Sequence, residues 1–269
     1  MRVVILTSTR NGIASEVLPV LCKNKNLNVV NVILARDAIA DRKKHLRRKI
    51  LKTCRIGILG ALNGIRIRDW YADKEVNDIA SLCQSFNVPL SETPCTNSDE
   101  TRKLFREAKA DLGLSLGNAY IAKSVFSIPR HGMVNIHMEL LPDFQGAQSI
   151  IWPIYEGIEE TGFTIHQIDT KIDTGDILYQ SRYAIQFYPT LKETVEKNLL
   201  LTKSKIPEAF SYVCEHYENL KDQSETQERG KSYTTPTIWQ FFRMARNCRA
   251  MYRRSLTGVV PGNPDPETS

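Results

Sequence analysis

The chain has 269 residues, 42% hydrophobic and 25% charged, with 36 Lys+Arg against 30 Asp+Glu for a formal net charge of +6. A chain of this size and composition forms one large folded unit, or one plus a modest appendage, and is not a disordered, collagen-like or disulfide-stapled protein. Its six cysteines form no C-x-x-C pair and its first residues do not resemble a secretory signal, so a reducing cytoplasm is the expected compartment.

Val3–Leu6 reads as a buried first strand and Val29–Leu34 as a second. Between Asp41 and Trp70 stand ten basic residues and two acids, so this block alone carries +8 and the remainder −2. A charge so concentrated is a local patch, and no nucleic-acid partner is expected from the +6. The block reads as a solvated helix, as a phosphate-facing wall of a site, or, over residues 41–62, as an amphipathic helix on an anionic membrane surface. Its longest apolar run, from Ile56 to Leu62, is far too short to span a membrane, which takes about 20 residues. Glu75–Phe86 and Glu100–Ala108 have helical apolar spacing, and Ala110–Leu116 and Gly132–His137 are further strands. Alternation of this kind predicts an α/β fold: a Rossmann-like, mainly parallel sheet with helices on both faces.

Later in the chain, Phe163–Ile168 and Ile177–Ile185 are strands around a polar loop, Asp169–Asp176. Thr190 and Glu193 form a capping box that starts a helix with Leu191, Val195 and Leu199 on one face; Pro207 kinks it or opens a new one. A helix over Trp239–Tyr252 comes next, then a Pro-rich tail expected to be disordered. The expected organisation is a domain over 1–205, a short, mostly helical C-terminal extension over 206–256, and a tail over 257–269.

Chemistry concentrates after the fourth of these strands. In Val134-Asn-Ile-His137, Asn135 and His137 share one face while Val134 and Ile136 share the other. A buried parallel strand should be apolar on both faces, and its C-terminal end is where open α/β sheets bind ligands. The loop Leu140-Leu-Pro-Asp-Phe-Gln-Gly146 comes after it, with a helix-like segment over Ala147–Tyr155. Three aspartates, Asp169, Asp173 and Asp176, do not have the spacing of a calcium loop. A zinc site from His131, His137 and His166 lacks short-range ligand spacing, so no metal is expected.

In order, these pieces read N-x-H-x-x-L-L-P-x-x-x-G, W-x-I-x-x-G, T-G-x-T-x-H and D-T-G-D-I. Together they resemble the folate-dependent formyltransferases, which act on glycinamide ribonucleotide, methionyl-tRNA or amino sugars. The resemblance runs from about Ala110 to about Gln180. It implies transfer of a formyl group from N10-formyltetrahydrofolate to a primary amine, with Asn135, His137 and Asp173 as catalytic residues and no metal. It also implies a pterin pocket near Ser115, Leu116, Gly117, Asn118, Ile168 and Asp169. The family often has Ser between the His and the Leu-Leu-Pro and an Arg before the loop glycine. Here Met138-Glu139 and Gln145 occupy those places, which bears on acceptor recognition.

Relatives acting on tRNA carry a further barrel of about a hundred residues, longer than the stretch beyond the Thr190 helix here, and the first turn (Thr7–Gly12) is poor in glycine for a ribonucleotide phosphate. The expected acceptor is therefore a small-molecule amine, a nucleotide-linked amino sugar, with Tyr233, Trp239, Arg243 and Arg246 as candidate nucleotide contacts. The alternatives are a methionyl-tRNA formyltransferase-like enzyme, a formyltetrahydrofolate hydrolase and a folate sensor without chemistry. A homodimer is compatible with the resemblance.

Overall fold

The computed structural model describes all residues except 37–41, 73–75, 119, 147, 225, 229 and 258–269, and all side chains among them except those of 42–45 and 48. The expected tail beyond Thr257, Asp41, Glu75, Ala119 and Ala147 thus lie outside the described residues, while Thr257 itself ends a helix. The elements are β1 (Arg2–Thr7), α1 (Ile13–Lys23), β2 (Asn28–Ala35), α2 (Arg42–Trp70), α3 (Ile79–Ser85), β3 (Leu90–Thr93), α4 (Asp99–Ala108), β4 (Leu112–Ser115) and α5 (Lys123–Phe126). They continue with β5 (Met133–His137), β6 (Gln145–Gly146), α6 (Ile151–Glu156), β7 (Glu160–Gln167), β8 (Ile177–Ala184), α7 (Leu191–Glu215), α8 (Tyr217–Asp222), β9 (Ser232–Tyr233) and α9 (Ile238–Thr257).

Seven strands form one sheet in the order β3-β2-β1-β4-β5-β7-β8. The first five pair in parallel, and β7 and β8 add antiparallel at one side. Strand alternation gives the sheet two apolar faces. Val3, Ile5, Leu112, Leu114, Val134 and Ile136 point toward α1, α3 and the C-terminal half of α7. Val4, Leu6, Ile33 and Met133 point toward Phe105 of α4 and Val125 of α5. This is the expected doubly covered sheet, and each large side chain it buries contributes about 1.5–3 kcal/mol. A third cluster joins Leu140, Phe144 and α6 to Leu191, Val195 and Leu199 of α7 and Met244, Cys248 and Met251 of α9.

The expected cap at Thr190 forms, and Ser98 caps α4 as well. The Ser98 hydroxyl accepts from the Thr101 amide at 3.2 Å, and the Thr190 hydroxyl accepts from the Glu193 amide at 3.1 Å. Pro207 does not end α7, which runs on to Glu215, so the expected boundary at 205 falls inside one continuous helix. Three helical expectations need correction. Of the segment read as Glu75–Phe86, residues 76–78 are not helical and α3 begins at Ile79, and of Ala147–Tyr155, residues 148–150 are not helical and α6 begins at Ile151. α9 outruns its expected Tyr252 end by five residues. Gly57, at φ 77°, interrupts α2.

Candidate active site

β5 owes its interior place to the antiparallel addition of β7, which sets His166 opposite Asn135 and Thr164 opposite His137. Cross-strand partners share a face, so His166 joins the polar pair on β5. The Asn135 amide donates to Nε2 of His166 at 3.4 Å, and Nδ1–H of His166 donates to the Gln167 carbonyl at 2.8 Å. These two partners assign the His166 proton to Nδ1. Burial lowers its pKa below the ordinary imidazole value, against the pull of Asp173, so His166 stays neutral near pH 7.

His137 is 8% exposed, and its Nε2–H donates to the Phe144 carbonyl at 2.6 Å. Its other nitrogen, Nδ1, lies 3.5 Å from Oδ2 of Asp173, while Oδ1 of Asp173 lies 3.8 Å from Nε2 of His166. One carboxylate therefore stands between two imidazoles. Both distances are longer than a short hydrogen bond, which leaves room to tighten around a reactant.

The loop carrying Asp173 is folded by its own residues. The Asp169 carboxylate accepts from the Lys171 amide and from the Thr174 hydroxyl, each at 2.9 Å. Gly175 passes so close to β7 that a Cβ there would sit 1.9 Å from the Gln167 carbonyl oxygen. Asp173 itself has φ 55°, a left-handed conformation that a non-glycine residue holds only when its surroundings impose it. Gln145 donates from its side chain to the Asp173 carbonyl at 3.2 Å.

Beyond His137 the chain closes on Glu139, which is 2% exposed. Its carboxylate accepts from the amides of Leu140 at 3.1 Å and Ile150 at 2.7 Å and from the Thr161 hydroxyl at 3.0 Å. Ile150 has φ 70°, costly for a β-branched residue, so this carboxylate holds a strained return of the loop. Burial pushes the Glu139 carboxyl up to about 7 despite these donors.

Two cavities meet at this point. One of about 340 Å³ has His137, Phe144, Gln148, Trp152, Lys203 and Tyr233 in its wall. The other, of about 210 Å³, has Ser115, Asn118, Asn135, Ile168, Asp169 and Asp173. His137, in the wall of the first, lies 3.5 Å from Asp173, in the wall of the second. Asn118 donates to the Leu6 carbonyl at 2.6 Å and accepts from the Ser8 hydroxyl at 3.0 Å. It thereby ties the ends of β1 and β4, where the strand order reverses and such sheets bind ligands.

Asn135, His137 and Asp173 are thus brought together, and four of the six expected pocket residues line the smaller cavity. Leu116 and Gly117 do not. Leu116 keeps the parity of Leu112 and Leu114 and is wholly buried in the core facing α1. Gly117 serves a turn at φ 79° against Thr9. Of the expected nucleotide contacts only Tyr233 lines the larger cavity. Arg243 stacks on Tyr155 at 4.2 Å, Trp239 is 78% exposed, and Arg246 lines a separate groove beside α2. His131 pairs with Glu218 and packs on Tyr217, apart from the Asp173 cluster. The roles of His166, Glu139 and Gln145 were not read from the sequence. Only His166 leaves a signal there, as the polar partner of Thr164 on one face of an apolar strand.

Residues 1–209 match the formyl transferase family, and the chain belongs to it. It is 32% identical over 117 residues to a methionyl-tRNA formyltransferase of Nitrosomonas eutropha, a stretch covering 43% of this chain and 37% of that protein. The chain spans about a third to a half of the length of the curated relatives it matches. The fold is similar to phosphoribosylglycinamide formyltransferase of Bacillus halodurans, with a TM-score of 0.54, 18% identity and coverage of 82% of this chain and 98% of that one. It is also similar to an N-formyltransferase of Helicobacter canadensis in complex with folinic acid and dTDP-3-aminofucose, with a TM-score of 0.53, 18% identity and coverage of 92% and 80%.

Proposed function

We propose that this chain transfers a formyl group from N10-formyltetrahydrofolate to the amino group of a nucleotide-linked amino sugar. The observation that carries the reading is the meeting of two cavities at Asn135, His137 and Asp173, which suits two substrates exchanging one small group. The smaller cavity has apolar walls in Ile121, Ile168 and Ile172 and polar groups in Ser115, Asn118 and Asp169, which fits a flat heterocycle with a hydrogen-bonding edge such as a pterin.

N10-formyltetrahydrofolate supplies an activated formyl group. As the amine nitrogen bonds to the formyl carbon, the carbonyl oxygen gains charge, and the Asn135 amide and a proton on His137 Nδ1 stabilise it. Each such donor is worth up to about 4 kcal/mol. His137 Nε2 is engaged by the Phe144 carbonyl, which leaves Nδ1 as the nitrogen that acts. Asp173 takes the proton the amine loses, and that proton is passed to N10 as its bond to the formyl carbon breaks, which leaves Asp173 ionised for the next turnover.

The larger cavity supports the acceptor. Tyr233 stacks on Phe144 with ring centroids 5.5 Å apart and meets Trp152 at 4.6 Å, giving an aromatic wall for a base or sugar ring. Trp152 Nε1 and Gln148 Oε1 are buried with no partner among the described residues, a donor and an acceptor suited to a polar ligand. The resemblance to the complex holding folinic acid and dTDP-3-aminofucose points the same way. A tRNA acceptor is favoured by one fact, the identity to methionyl-tRNA formyltransferases.

The test incubates the chain with N10-formyltetrahydrofolate and, separately, a panel of nucleotide-linked amino sugars and methionyl-tRNA, reading the mass gain of one CO on the acceptor. Formylation of a sugar nucleotide alone supports the proposal. Formylation of methionyl-tRNA alone moves the acceptor to tRNA, and folate turnover without any amine identifies a hydrolase.

A further inference from the structure

α2, with its break at Gly57, takes little part in this site. α2 is buried along one face at Ile56, Gly60, Asn63, Gly64, Ile67 and Trp70. Its backbone approaches the segment before α9 so closely that a Cβ on Gly64 would lie 2.5 Å from the Thr235 methyl. Away from that face stand Leu46, Ile50, Leu51, Ile58, Leu59, Leu62 and Ile65, each between 53% and 74% exposed. From Ile58 onward their spacing is that of one helical stripe. A helix already packed on one side and still aliphatic on the other has a partner surface left to fill.

Charge identifies the partner. α2 carries ten Lys and Arg against one Asp, and α9 carries five Arg and no acid, within a chain whose net charge is only +6. A groove of about 670 Å³ runs between α2, the start of α7 and α9, and Arg66, Trp70, Phe242, Arg246, Arg249 and Arg253 line it with no acid among its lining residues. Arg66 stacks over Phe241 at 4.9 Å and Trp70 at 5.8 Å, which links the groove to the aliphatic stripe. Trp239 and Phe242, 78% and 56% exposed and 6.1 Å apart, continue the aromatic edge.

We propose that α2 and α9 dock the enzyme on a bilayer containing anionic lipid, the aliphatic stripe at the acyl boundary and the arginine groove on the headgroup phosphates. A second copy of the chain would bring two strongly basic faces together. A nucleic acid offers phosphates but gives no apolar medium to seven aliphatic side chains. A bilayer surface supplies the apolar layer, the phosphates above it and the interfacial level at which tryptophan settles. No helix among the described residues is long and apolar enough to cross a membrane, so the contact is in the plane of the surface. The Gly57 break lets residues 42–56 and 58–70 meet that surface at separate angles.

The test is flotation of the full chain with vesicles of equimolar phosphatidylglycerol and phosphatidylcholine, beside vesicles of phosphatidylcholine alone. Trp239 provides a second readout, because it is the exposed one of three tryptophans while Trp70 and Trp152 are buried. The chain is expected to float with the anionic vesicles only, with a blue shift of tryptophan emission that Trp239→Phe removes. A Leu59→Glu/Leu62→Glu variant is expected to lose at least about tenfold in partitioning. Each of Arg246→Gln, Arg249→Gln and Arg253→Gln is expected to lose about fivefold. All four should keep the wild-type melting curve, since none of the substituted side chains is buried. Failure to float, equal flotation with neutral vesicles, an unshifted Trp239, tighter binding to tRNA than to anionic vesicles, or a dimer dissolved by the leucine substitutions would each overturn the proposal. None of these readouts requires formyl transfer, so the docking and the activity stand or fall separately.

Discussion

At the end of β5, Asn135, His137, His166 and Asp173 each have an assigned neighbour within 4 Å, while on α2 seven aliphatic side chains project from the surface in a loosely ordered row. The first arrangement depends on single atoms at set distances, and the second on summed area and charge. A conservative change at the strand end should therefore abolish function without touching the fold. The face on α2 should tolerate any one change and fail only by accumulation.

The largest expected effect is at the strand end. His137→Ala or Asp173→Asn should each lower the rate of formyl transfer by on the order of 10³-fold, with little change in vesicle binding. Either variant retaining close to the wild-type rate in a stopped assay would break the comparison. Next is Gly175→Ala, whose Cβ would collide with the Gln167 carbonyl. It should cost about 2 kcal/mol or more in denaturant unfolding and should also slow transfer, because Asp173 rides on the same loop.

Glu139→Gln probes the loop between the two cavities. At pH 5 the folded carboxyl is protonated, and the amide replaces its hydroxyl, which can still accept, with a nitrogen that cannot, so a loss of about 1–2 kcal/mol is expected there. The sign of the pH dependence is set by burial. The folded carboxyl titrates near 7 and an ordinary one near 4.5, so the folded state keeps a proton that the unfolded state releases. Its stabilising contribution is complete below about 4.5 and declines as the pH rises to about 7, by up to about 3 kcal/mol. The lead of wild type over Glu139→Gln should therefore shrink from pH 5 and reverse by pH 8 in thermal melts, and a constant gap would refute the buried-carboxyl account. The smallest effect is a control: Ser98→Ala removes the α4 cap and should cost about 1 kcal/mol while leaving transfer and vesicle binding unchanged.

Much of this was legible in the residues. Apolar runs marked β1, β2, β4, β5, β7 and β8, because a strand covered on one or both faces must be apolar there. β3, Leu90-Ser-Glu-Thr93, has no such pattern, since it pairs on one side only and of its four residues Thr93 alone is buried. The polar pair Asn135 and His137 stood out against an apolar strand. Asp173 was found through its motif, but its left-handed backbone and its place between two imidazoles depend on Gly175 and on the antiparallel register of β7. The work of Glu139 was hidden for a similar reason, as its partners Ile150 and Thr161 lie 11 and 22 residues away. Leu116 misled because proximity in sequence to a pocket says nothing of which way a strand residue points. The exposed stripe of α2 was one of three readings of the basic block, and the sequence did not show which of its apolar residues, such as Ile56 and Ile58, are buried and which are exposed.

α7 has a consequence for how the chain folds. Its first turns, through Leu199, belong to the cluster with α6 and α9, and its last turns, from Ile206 to Cys214, belong to the sheet core. A single 25-residue rod thus enters both apolar interiors. Neither can come apart without unseating the same helix, so the two should unfold in one cooperative step. Leu199 and Lys203, at the middle of that rod, also wall the larger cavity, so an acceptor bound there would raise the melting temperature of the whole chain rather than of one half.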